Sequence, residues 1–201
     1  METSEIKVVF FDIGGVLLSN GWGHLSREKA AKKFNLNYKE IEVLHNFIFN
    51  VFEIGSITLD DYLNTVVFNH PRDFSKEAFK NFMFAQSVEL PDMLPWLKEW
   101  KKNCGFRVFS INNESRELND YRIKKFSLDQ LFDGFFSSCH VGMRKPDPGI
   151  FQLAMGIAQV RPDECVYFDD RLMLAGAAQK LGIRGFHHKD FETTRENLIN
   201  L

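Results

Sequence analysis

Four short apolar runs of strand length constrain this chain most: Ile6–Phe11, Phe106–Ser110, Phe135–Ser138 and Cys165–Phe168, with a weaker one at Arg184–His187. Few of them alternate polar with apolar residues. A strand with one wet face alternates, whereas a strand covered on both faces does not. Between the later runs lie helical patterns at Pro91–Asn103, Glu114–Phe126, Pro148–Gln159 and Met173–Leu181. The third has a clear start, with Asp147 placed to cap it and Pro148 at its first position, where a missing N–H costs nothing. Strand and helix in alternation imply right-handed crossovers, so an α/β fold is expected, built on a doubly wound parallel sheet.

The first strand breaks this rhythm. Roughly seventy residues separate it from the helix at Pro91, far more than a crossover needs. Residues 22–86 read as mostly helical: Leu25, Ala30 and Phe34, then Ile41, Leu44 and Ile48, then Tyr62, Val66 and Val67 recur near helical spacing. Gly55-Ser56 and His70-Pro71-Arg72 break the pattern. The expected organisation is a core of residues 1–18 and 89–201 with an inserted all-α cap, 19–88, over the strand ends. A length of 201 residues is enough for both. The 21 phenylalanines, many of them in 47–84, are read as core and pocket packing.

Composition excludes several classes of partner. A net charge of −2 gives no general drive toward nucleic acid or an anionic membrane. The basic stretch from Arg27 to Lys33 fits a solvated helix face. Three cysteines (Cys104, Cys139, Cys165) are too few and too scattered for a disulfide framework or a zinc site. No apolar run reaches spanning length, and Met1-Glu-Thr-Ser-Glu lacks the pattern of a secretory signal. The expected setting is the cytoplasm, with no membrane and no nucleic acid as partner.

The chemistry-bearing residues fall at strand ends, the edge where open α/β sheets bind ligands. Asp12 closes the first strand and is followed at once by Gly14-Gly15, which let backbone approach whatever the carboxylate touches. Ser110 ends the second strand with a hydroxyl that can donate to an anion; Asn112 and Asn113 after it also suit helix caps. Lys145 stands before Pro146 in a loop stiffened by two prolines, an arrangement that aims a point charge at a developing anion. Its neighbour Arg144 reads as solvated. Asp169-Asp170 follow the fourth strand. Two adjacent buried carboxylates repel, and a cation relieves that cost. Few hard carboxylate ligands suit Mg²⁺, with water and substrate phosphate completing its shell. Asp169 is also placed to cap the next helix.

Taken in this order, Asp12, Ser110, Lys145 and Asp169-Asp170 resemble the four motifs of the haloacid dehalogenase-like hydrolases, over almost the whole chain. The stretches Gly21-Trp-Gly-His, Phe52-Glu-Ile-Gly-Ser-Ile-Thr, Asn112-Asn-Glu-Ser-Arg-Glu-Leu-Asn and Gly142-Met-Arg-Lys-Pro-Asp-Pro resemble the branch of glucose-1-phosphate phosphatases and of the phosphatase domain of epoxide hydrolases. The resemblance implies a Rossmann-like hydrolase core with a helical cap. It also implies a phosphatase of a small phosphorylated metabolite, in which Asp12 attacks phosphorus and forms an aspartyl-phosphate. Mg²⁺ would be held by Asp12, the Gly14 carbonyl and Asp170, with Asp169 a further candidate. Ser110, Asn112 and Lys145 would hold phosphoryl oxygens.

Two positions depart from that pattern. Gly14 stands where such phosphatases usually carry an acidic proton donor, and Leu174 where a polar residue often supports the metal. Either the leaving group departs with little help, as an anomeric or acyl phosphate can, or the cap donates a proton. His24 is the candidate donor, with surface or capping histidine as its plainer reading; Trp22 either walls the pocket or packs cap on core. Two other activities fit the same motifs. A 2-haloacid dehalogenase would form a carbon ester on Asp12 and need neither proton nor metal. A silent relative would bind a phosphorylated ligand without turnover.

Overall fold

The computed structural model describes residues 5–201. Five parallel strands form one sheet: β1 (Val8–Phe11), β2 (Arg107–Asn112), β3 (Gly134–Ser137), β4 (Cys165–Asp169) and β5 (Arg184–His187), in the order β3-β2-β1-β4-β5. β1 lies at the centre, so its N–H and C=O groups pair on both sides and all four of its side chains are buried. Val9 and Phe11 face one apolar cluster, closed by Met93, Leu94 and Leu97 of α5 (Met93–Lys101) and by Leu198 of α10 (Phe191–Ile199). Val8 and Phe10 face the other, closed by Ile150, Phe151 and Ala154 of α8 (Pro148–Ala158) and by Ala178 of α9 (Leu172–Gln179). Burial on both faces is the physical reason that the strands do not alternate. Truncating Phe10 to alanine is expected to destabilise the protein by about 3–5 kcal/mol, read from the urea midpoint.

Asp147 caps α8 as expected, its side chain accepting from Gly149 N (2.8 Å), with Pro148 in the first turn. Two elements differ from the expectation. A short helix, Ser138–Val141, follows β3 at once, and α10 at the C-terminus carries Phe191 against Trp96, edge-on at 5.8 Å. The third difference matters for the site. β2 runs two residues past Ser110, because Ile111 is fully buried and the ladder to β3 continues through Asn112↔Ser137.

Between β1 and α5 the chain forms four helices: α1 (His24–Lys33), α2 (Tyr38–Glu53), α3 (Leu59–Val66) and α4 (Lys76–Ala85). They close around a third apolar cluster that includes Trp22, Ile41, Phe52, Tyr62, Phe79 and Met83, and Leu118 of α6 (Arg116–Lys125) joins it from the sheet side. Their starts are marked in the sequence: Asn37 and Ser75 cap α2 and α4, and Thr58 and Asp61 form a capping box on α3. The two chain segments that join this helical cap to the sheet run side by side. Ser19 N donates to Val88 O (2.8 Å), and Leu90 N to Leu17 O (3.0 Å). Arg122 of α6 holds both, donating from Nε to Ser87 Oγ (3.0 Å) and from Nη2 to Ser19 O (2.9 Å). No helix among the described residues is long and apolar enough to cross a membrane.

Candidate active site

The carboxyl ends of β1, β2 and β4 open on a cavity of about 910 Å³ between sheet and cap. Asp12, Asn112, Lys145 and Asp170 line it from the sheet side, and Trp22, His24, His45 and Phe49 from the cap.

Lys145 is the hub. It is fully buried, and its ammonium lies 2.7 Å from Tyr167 Oη, 2.8 Å from Asp169 Oδ2 and 3.1 Å from Asp12 Oδ1. Two hydrogen bonds and an ion pair meet on the ammonium and fix its position. Its backbone is clamped as well. Asn113 Oδ1 accepts from Lys145 N (2.8 Å) and Asn113 Nδ2 donates to Lys145 O (2.9 Å). Asn113 therefore orients the lysine rather than capping a helix.

Asp169 belongs to this support. It is fully buried and absent from the cavity lining; Oδ2 accepts from Lys145 and from the Tyr167 hydroxyl, and Oδ1 from Arg171 N (2.8 Å). Asp170 differs. Its Oδ1 is buried and finds no hydrogen-bond partner among the described residues, while Oδ2 accepts a long bond from Asn20 Nδ2 (3.3 Å). Close approach to Asp170 requires glycine at 15: its φ is +75°, and a Cβ there would lie 2.1 Å from Asp170 Oδ2.

Oxygens of Asp12, Asp169 and Asp170 gather within 4.8 Å of one another, against the single ammonium of Lys145. Burial pushes Asp12 up to about 7; Lys145 opposes the shift, and Asp169 and Asp170 add to it. Asp170 is raised too, by burial first. Excess buried carboxylate and an orphaned carboxylate oxygen are what a hard cation relieves. Asp12 and Asp170 fit that role. Asp169, with its oxygens already engaged, fits it less well.

Ser110 is placed differently from its expected role. It is fully buried, donates to Asn112 Oδ1 (3.2 Å) and does not line the cavity. The longer β2 puts Asn112 at the strand end instead. The Asn112 amide is itself tied into a buried network with Ser137 and Asn119.

In the cap, Trp22 both walls the cavity and packs. Its indole N–H donates to Tyr62 Oη (2.9 Å) and its ring meets Phe79 edge-on at 5.7 Å. His24, the first residue of α1, is exposed at the cavity. Several lining residues carried no sequence signal. His45 Nδ1 lies 2.8 Å from Tyr62 Oη, its ring stacks on Phe49 at 5.3 Å, and burial lowers its pKa to about 4, which keeps it neutral. Arg144, read as solvated, instead joins sheet loop to cap through Glu53 (2.7 Å) and Asn50 (2.8 Å). Glu114 pairs with Arg122 Nη1 at 2.8 Å; burial raises its pKa against that partner. Leu174 lines the cavity, and Asn20 supplies the polar contact to Asp170.

A carboxylate at the end of the central strand, a fixed lysine and an acidic pair one strand away thus lie together beneath the helices inserted after β1. Residues 6–182 match the haloacid dehalogenase-like hydrolases, and the chain belongs to that family. Among relatives, the sesquiterpene phosphatase astK of Aspergillus oryzae is 28% identical over 201 residues, covering 98% of this chain and 97% of its own. The drimenol cyclase drtB of Aspergillus calidoustus is 28% identical over 192 residues, 92% of this chain, but the match spans only 35% of that longer protein. The HAD family enzyme bt-2542 of Bacteroides thetaiotaomicron, solved in complex with magnesium and inorganic phosphate, shares the fold. Its TM-score is 0.77 at 22% identity, over 94% of this chain and 98% of that one.

Proposed function

We propose that this protein is a Mg²⁺-dependent phosphatase of a small phosphorylated metabolite, acting through an aspartyl-phosphate on Asp12. The observation that carries the reading is the buried Asp170 oxygen with no hydrogen-bond partner among the described residues, set among carboxylates that one lysine does not neutralise. A phosphatase and a magnesium–phosphate complex among the relatives and structural neighbours support it.

Asp12, Asp170 and the Gly14 carbonyl would hold the cation. When bound, it supplies positive charge to the phosphoryl oxygens. Asp12 attacks phosphorus in line and the bond to the leaving oxygen breaks. Lys145 holds Asp12 in place and shields its charge from the incoming phosphate. Asp169 and Tyr167 fix Lys145, and Ser110 braces Asn112 at the phosphate end. Water then attacks the phosphorus, freeing phosphate and restoring the Asp12 carboxylate. Trp22 and His24 bound the leaving-group side. Three unpaired cysteines fit a reducing compartment, the cytoplasm.

The dehalogenase alternative uses Asp12 on carbon and has no use for a cation. EDTA separates the two. Phosphate release from a panel of sugar, acyl and nucleotide phosphates is expected to stop with EDTA and return with added Mg²⁺. Halide release from 2-haloacids, unaffected by EDTA, would establish the other activity.

A further inference from the structure

The space in which a side chain at position 14 would stand is already filled. A Cβ placed on Gly14 would lie 3.1 Å from Asn20 Oδ1 and 3.8 Å from Arg122 Nη1. An acidic side chain at 14 would therefore need Asn20 to give way by a few tenths of an ångström. What the protein presents there is an amide and a guanidinium. An amide does not titrate, and a guanidinium stays charged throughout the working range. The guanidinium polarises an oxygen without handing it a proton; the amide turns its carbonyl oxygen this way, its nitrogen donating to Asp170 Oδ2 (3.3 Å).

Asp12 and Asp170 aside, the acids that line the cavity are paired with arginines. Glu114 accepts from Arg122 Nη1 (2.8 Å) and from Ser115 N (3.0 Å). Glu53 accepts from Arg144 Nε (2.8 Å) and Nη2 (2.7 Å). Each of the two carboxylates is thus tied to a guanidinium. His45 is fixed against Tyr62 Oη at 2.8 Å. Arg122 is itself immobile: 3% exposed, it also binds both segments that carry the cap, at Ser87 and Ser19. Beside Gly14 the protein thus holds a fixed guanidinium, paired with Glu114.

We infer that the leaving oxygen departs unprotonated, on the side of Arg122, and that the substrates are phosphates whose leaving group is stable as an anion: acyl, aryl or enol phosphates, or phosphoric anhydrides. This rests on the phosphatase reading above. In the transfer step the Asp12 oxygen–phosphorus bond forms and the phosphorus–leaving oxygen bond breaks. The electron pair stays on the leaving oxygen, which leaves as carboxylate, phenolate, enolate or phosphate and takes any proton from water afterwards.

The test compares three ring-bearing esters of similar size, p-nitrophenyl, phenyl and benzyl phosphate, with wild-type protein, Mg²⁺ and an Asp12→Asn control. Proton donation by a positioned side chain is worth about 10²- to 10⁴-fold. The kcat/KM for p-nitrophenyl phosphate is therefore expected to exceed that for benzyl phosphate by at least about 10²-fold, with phenyl phosphate between. His24→Ala is expected to leave this ratio unchanged. Benzyl phosphate turned over within about tenfold of p-nitrophenyl phosphate, or a ratio that widens in His24→Ala, overturns the inference and leaves the phosphatase intact. No Asp12-dependent release from any of the three overturns both.

Discussion

Replacing Asp12 with asparagine is expected to lower phosphate release by at least about 10⁴-fold, the order seen when a covalent nucleophile is removed, while the protein stays folded. The two outcomes follow from one set of contacts. Asp12 sits at the C-terminal end of the central strand, its N–H donating to Phe168 O (2.8 Å), so the backbone of β1 and β4 holds the residue whatever its side chain. Burial disfavours its charged form and pushes its carboxyl up to about 7, so an uncharged amide of the same shape relieves repulsion from Asp169 and Asp170. Asparagine cannot form the acyl-phosphate bond. Equal or higher melting temperature with lost turnover is the expected pair of results. Activity kept within about tenfold would place the nucleophile elsewhere.

Replacing Lys145 with methionine is expected to cost both turnover and stability. The side chains are close in size, so the change removes charge, two hydrogen bonds and an ion pair more than volume. Asp12, Asp169 and Asp170 would then face one another with no protein cation among them. Removing one partner of a buried ion pair costs about 3–5 kcal/mol, a large share of the roughly 5–15 kcal/mol that holds a domain folded. Urea unfolding measures it directly. Mg²⁺ is expected to restore part of the loss, because a ligand that binds only the folded state stabilises it by mass action. A variant as stable as wild type, with or without Mg²⁺, would show that the carboxylates do not need the lysine.

Much of this architecture could be read from residue order. The strands were legible because both faces are covered: Val8 and Phe10 pack on one side, Val9 and Phe11 on the other, which leaves an unbroken apolar run. The caps of α2, α3, α4 and α8 rest on residue types with local hydrogen-bonding reasons to be there. Asp12, Lys145 and Asp170 were legible because a charged residue closing or following a buried strand stands out. Ser110 misled because strand ends depend on the neighbouring strand. The β2 ladder continues while Phe136 and Ser137 of β3 remain available to pair with it, and nothing in Val108-Phe-Ser-Ile-Asn-Asn shows that. Asp169 and Asp170 are adjacent in sequence, yet Asp169 ends β4 and turns to Lys145, while Asp170 follows the strand and keeps an oxygen with no hydrogen-bond partner among the described residues. Asn20 and Arg122 were not legible because they act across the junction of sheet and cap, and His45 and Glu114 because their partners Tyr62 and Arg122 lie on later helices; no local pattern records such contacts.

The central claim is that Asp12 takes the phosphoryl group. The most direct test quenches wild-type protein in acid during turnover of p-nitrophenyl phosphate with Mg²⁺ and locates any added phosphoryl group by peptide mass. The account predicts it on Asp12, absent when EDTA is present. Steady phosphate release with no phosphoryl group on Asp12 at any quench time would contradict it.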